Sequence, residues 1–281
     1  YMGNYYCLMA GLPEIAFDDG KSASSIISFK DELENELSDS DKKLINIFFL
    51  KYDCMNLVKV LKRGAETDLD KRGLYTAEEY QEIIACARET EFNPYEYPAF
   101  MCEFVRSYDQ NKDNKDYFPE DEILKEYYRF AGTCKNSFMS EWYKLNFRIN
   151  YILTAMTARK NGLEIGTYIS GDDEFSEILR TNKSRDFGLS TDYEYMQMLA
   201  AISDCQDPVE KEKKISAMLW EWLDNHTLSD FFSINAVFAY LSKLEILERW
   251  SILGVEEGKK IFRKIIEDLR SEVRVPDEFK K

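Results

Sequence analysis

One histidine, six prolines, twelve glycines and no apolar run long enough to cross a bilayer are what this 281-residue chain offers in its scarcest categories. A lone histidine excludes zinc or di-metal sites built from several imidazoles. Any Ser-His-Asp or Cys-His site would have to use His226, in Asp224-Asn225-His226-Thr227, where an exposed turn is expected and no nucleophile stands nearby. The six cysteines (Cys7, Cys54, Cys86, Cys102, Cys134, Cys205) never fall into C-x-x-C spacing, so zinc-type and thioredoxin-type chemistry is not expected. Reduced, mostly buried thiols and a reducing compartment are. Gly162-Leu163-Glu164-Ile165-Gly166 lacks the Lys-Ser/Thr ending and the preceding strand of a phosphate loop. The apolar stretches 149–156 and 231–241 are interrupted by Asn150 and Asn235, well short of the roughly 20 residues a span needs. Tyr5 to Pro13 has no cationic region before it, so a signal peptide is not expected. A net charge of −15 argues against nucleic acid and against direct adhesion to anionic lipid.

What is present is material for a large helical core. Hydrophobic residues make up 44% of the chain, with 18 Phe, 18 Tyr and 4 Trp to bury area on short helices. Glycine and proline fall mostly between periodic segments, and no long alternating pattern appears, so the expected fold is one all-α chain over 1–281. Helices are expected near 28–37, 41–63, 76–90, 96–108, 119–131, 136–161, 173–181, 191–204, 208–224, 229–250 and 255–273. Ser28/Asp31, Thr76/Glu79 and Thr191/Glu194 each set a hydroxyl three residues before an acid, the spacing of a capping box. Pro119 and Pro208 suit first helical turns. Phe231, Ile234, Phe238, Leu241 and Leu244 read as one apolar stripe.

Three helices share a local pattern: Asn56, Asn150 and Asn235 each follow an aromatic residue by three or four positions. They lie 94 and 85 residues apart, close to a third of the chain, which suggests three helical units near 28–118, 119–207 and 208–281. A buried asparagine in such a place would hydrogen-bond a neighbouring element and fix packing register. The segment Lys51-Tyr52-Asp53-Cys54-Met55-Asn56-Leu57-Val58-Lys59-Val60-Leu61-Lys62 resembles the acid-x-x-Asn-Leu/Ile signature of the C-type (also called d-type) central-stalk family of V-type and archaeal-type rotary ATPases. The opening Asn4 to Pro13 and the closing Lys243 to Trp250 are similar to a divergent bacterial branch of that family. The acid position is Phe147 in the second unit and Phe232 in the third. The resemblance implies an all-helical, funnel-like body of three related units with no cofactor and no chemistry of its own. It also implies a cytoplasmic place, peripheral to the inner membrane, between the rotor ring and the central stalk. Asp53, Asn56, Asn150 and Asn235 would then be structural.

One rival motif stands beside it. Asp109, Asn111, Asp113 and Glu120 occupy positions 1, 3, 5 and 12 of an EF-hand-like loop, although position 6 is Asn114 and position 8 is Asp116. A calcium-binding helical protein is the alternative this motif implies. The acid pairs Asp18-Asp19, Asp172-Asp173 and Glu256-Glu257 belong to no pocket-forming motif, and an acid–base enzyme is the third option.

Overall fold

Helix starts in this chain are fixed by short-range polar bonds. The side chains of Ser25, Ser38, Thr76, Asn136, Asp173 and Asp207 each accept a backbone N–H at the head of a helix, worth about 1 kcal/mol apiece. Pro119 and Pro208 stand at first-turn positions. The computed structural model describes residues 5–17, 24–64, 66–89, 97–171 and 173–252. Among the described residues there are helices and no strand, so the all-α expectation holds. In order they are α1 (Tyr6–Gly11), α2 (Ile26–Glu36), α3 (Asp39–Arg63), α4 (Ala77–Arg88), α5 (Ala99–Asn111) and α6 (Pro119–Ala131). There follow α7 (Ser137–Lys160), α8 (Ile165–Tyr168), α9 (Glu174–Thr181), α10 (Met196–Asp204) and α11 (Pro208–Thr227), then α12 (234–252).

The core is layered around two long helices. Helix α3 packs on α6, α6 on α7, α5 against both α4 and α6, and α10 against α7 and α11. Helix α12 closes the stack through Phe238, whose fully buried ring meets Phe48 of α3 and Phe138 and Tyr143 of α7, all near perpendicular at 5.7–6.1 Å. Such edge-to-face contacts add about 0.5–1.5 kcal/mol each beyond burial.

Several expectations are corrected. The capping box of α2 is Ser25 with Ser28 at its third position, not Ser28 with Asp31, because Ile26 and Phe29 must both face the core. Thr191 and Glu194 cap nothing. Phe187 (φ 58) and Gly188 (φ 74) turn the chain left-handed there, and Tyr193 stacks on Tyr195, so α10 starts at Met196. Helix α12 begins after Ser233, whose hydroxyl accepts the Asn235 N–H at 3.0 Å, leaving Phe231 outside the stripe and 62% exposed. Helix α11 runs through His226, which stacks on Trp222 at 4.0 Å rather than sitting in a turn. The residue pattern does not forecast α1 or α8. The helix expected at 255–273 lies outside the described residues, as do Asp18, Asp19, Asp172, Glu256 and Glu257.

Replacing Phe238 with Ala removes the ring that joins α3, α7 and α12. The expected loss is about 3–5 kcal/mol in urea unfolding. A loss below about 1 kcal/mol would mean that the three helices do not depend on that contact.

Candidate functional site

Asp53 and Asn56 lie one turn apart on α3 and are both fully buried, pointing at the loop that leads into α4. One Asp53 oxygen, Oδ1, accepts the N–H groups of Leu74 (2.7 Å) and Tyr75 (3.1 Å) and the Tyr80 hydroxyl (2.6 Å). Asn56 behaves as a detached peptide group. Its amide donates to the Asp70 carbonyl (2.9 Å) and its oxygen accepts the Asp70 N–H (2.8 Å). The same amide also donates to Tyr80 (3.1 Å). Loop backbone that would otherwise need water is paired by one helix face.

Glycine is required at the centre. A Cβ on Gly73 would stand 2.7 Å from Asp53 Oδ1 and 2.9 Å from Asn56 Nδ2, closer than atoms can approach. From the other side Lys30 of α2 donates to the carbonyls of Arg72 and Gly73. Arg72 lies over the Tyr52 ring at 4.2 Å and reaches Asp70 at 2.6 Å and Glu248 of α12 at 3.3 Å. Glu248 also accepts the Ile26 N–H at 2.7 Å, and Glu245 is held by Lys51 and Tyr52. The 68–76 loop thus ties α2, α3, α4 and α12 together.

Burial pushes the Asp53 carboxyl up to about 6, against the three donors and Lys30, which pull it down. Its second oxygen, Oδ2, is buried with no hydrogen-bond partner among the described residues. Burial also lowers the Lys30 ammonium, opposed by Asp53 and nearby acids. Burial raises the Tyr80 hydroxyl too, reinforced by Asp53.

The other sequence candidates are placed differently. Asn235 accepts from the Asn136 amide at 2.8 Å and donates toward Asp230, joining the heads of α7 and α12. Asn150 is exposed and lines a surface cleft. The three asparagines therefore do three different jobs. In the 109–120 loop, Asp109 lies inside α5 and forms a two-point pair with Arg88 (2.7 and 2.8 Å). Asn111 bonds back to Ser107, and Glu120 pairs with Lys62 at 2.6 Å. Among the described residues no three His, Cys, Asp or Glu groups converge as a metal site would require. Sequence reading missed Gly73, Tyr80, Lys30, Arg72 and Glu248. The one local signal is a glycine just ahead of the Thr76 capping box.

Two outcomes test the clamp. Gly73→Ala should destabilise by about 2 kcal/mol through overpacking, and Asn56→Leu by about 2–3 kcal/mol through the unpaired Asp70 groups, both read by chemical denaturation. Because the folded Asp53 value lies above its ordinary 3.8, the fold binds that proton more tightly than the unfolded chain. Its contribution is therefore fully present below pH ~4 and falls as pH rises through ~6, by about 3 kcal/mol in all. Asp53→Asn should lack that fall; an unchanged difference between pH ~4 and pH ~7 would refute the assignment.

No curated protein and no solved structure matches this chain. A family model described as "Protein of unknown function (DUF2764)" matches residues 2–273. With nearly its whole length covered, this all-α chain with a buried Asp-x-x-Asn clamp belongs to the DUF2764 family.

Proposed function

We propose that this chain is a non-catalytic adaptor in the central stalk of a bacterial V-type ATPase, coupling the membrane rotor ring to the stalk shaft. The observation that carries the reading is the use made of Asp53 and Asn56, the residues behind the resemblance to the C-type (d-type) stalk family. Both are sealed from solvent and committed to gripping a loop, which makes them stiffening elements rather than reagents. Helix α3 adds to the support. Its 25 residues span about 37 Å at 1.5 Å per residue. Near its start Asp41 accepts from Tyr5, and at its far end Lys62 meets Glu120 at the head of α6. A torque-bearing coupler needs such a strut.

A partner surface is available at the starting end. Tyr6, Leu228 and Phe231 are 57%, 66% and 62% exposed, and Tyr6 touches Phe232 at 4.7 Å. Clustered exposed aromatics are a mark of interaction surfaces. Among the described residues no helix is long and apolar enough to cross a membrane. In this reading the chain sits at the cytoplasmic face and is attached there through protein partners.

Affinity purification of the tagged chain from native membranes, at low and moderate salt, should recover rotary-ATPase components. Leu228→Ser with Phe231→Ser should reduce that recovery at least about tenfold while leaving the melting temperature within about 2 °C, since neither side chain is in the core. Recovery of no such component from membranes that contain them would overturn the reading.

A further inference from the structure

The second half of α7, the α8 turn and the start of α11 line an open surface cleft of about 300 Å³, the lower end of the range for small-molecule sites. Its walls are built by identifiable devices. Gly162 (φ 67) ends α7 in a left-handed turn that returns the Leu163 N–H to the Ala158 carbonyl at 2.8 Å. Leu163 is thereby folded back beside Ala158, 47% exposed. Helix α8 is anchored by Ile169, fully buried, whose carbonyl accepts from Arg180. Tyr168, next to that anchor, is left 46% exposed on the cleft. Leu153 completes the apolar lining.

The polar lining is one-sided in character. Among the described residues Lys211 is the only charged one on the wall, and it makes no ion pair with any of the others. The acids flanking it are engaged elsewhere: Glu210 with Lys214 at 2.9 Å and Glu212 with Arg249 at 2.9 Å. Asn150, Thr154 and Tyr168 supply an amide and two hydroxyls whose side chains have no hydrogen-bond partner among the described residues. An uncompensated ammonium and three groups able to donate surround an apolar floor, on a chain whose net charge is −15.

We propose that this cleft binds a small amphiphilic carboxylate, with the aliphatic tail against Leu153, Ala158 and Leu163 and the carboxylate on Lys211. A cationic amphiphile is disfavoured by Lys211, and a neutral one leaves its ammonium unanswered. The site does not depend on the adaptor reading, since it lies on α7, α8 and α11 and uses neither the 68–76 loop nor the exposed aromatics.

The test is calorimetric titration of the full chain with sodium octanoate at constant ionic strength, with methyl NMR of Leu153 and Leu163 to place the ligand. Octanol and octylammonium serve as neutral and cationic controls. Saturable one-to-one binding of octanoate is expected, with shifts at both leucines. Lys211→Met should weaken octanoate about tenfold and octanol less than about twofold, while Lys211→Arg should retain octanoate binding. Leu163→Asp should abolish binding of octanoate with the melting temperature unchanged. Linear, non-saturating shifts up to about ten millimolar, or equal affinity for octanoate and octylammonium, would overturn the proposal.

Discussion

Everything at the centre of this fold depends on a carboxylate oxygen lying against a glycine. Asp53 Oδ1 gathers two loop N–H groups and one tyrosine hydroxyl, and it can do so only because Gly73 has no side chain to hold the loop away. A buried charge without donors is costly. Here the donors come from a segment that has no helix or strand of its own to satisfy it, so each offsets part of the other's cost, although burial still outweighs the donors at Asp53. Removing either partner exposes the other, which is why the loop and the helix face act as one unit. Through Lys30, Tyr80 and the Arg72–Glu248 pair, that unit reaches α2, α4 and α12.

The Phe238 ring cluster and the polar clamp share α3 and α12 and restrain them by different physics. Phe238 and its ring partners hold α12 to α3 and α7 by close packing, which resists compression. Directional hydrogen bonds, such as those of Asn56 to the N–H and the carbonyl of Asp70, set register. One long helix, α3, carries both restraints along its length. A body restrained in both ways deforms little under load.

How far the chain can be read from its residues follows from the range of the interactions. Thr76 and Glu79, Pro119 and Pro208 are local signals acting within one turn, and they locate α4, α6 and α11. Asp53 and Asn56 stand out by spacing, yet their purpose is hidden because Lys30 and Glu248, which complete the site, are far away in sequence. Asn150 and Asn235 show the same limit from the other side. A shared aromatic-then-asparagine pattern meets three different surroundings, since tertiary neighbours and not the pattern decide what an amide bonds to. Thr191 fails as a cap because the left-handed Phe187-Gly188 turn has already redirected the chain.

The exposed aromatics at the α11–α12 junction follow from a similar contest between pattern and polar bonding. Phe231, Ile234 and Phe238 keep helical spacing, so a helix begun earlier would have carried Phe231 toward the core. Instead, Asp230 accepts the Ser233 hydroxyl at 2.6 Å, Ser233 caps Asn235, and the Phe232 carbonyl accepts the Tyr5 N–H at 2.7 Å. Each of these bonds holds the chain out of helix at the point where an aromatic is displaced into solvent. A misplaced hydrophobe would relax inward. Here three separate hydrogen bonds fix the outward course of the chain, and the exposed ring lies beside the start of the same helix whose middle carries the clamp.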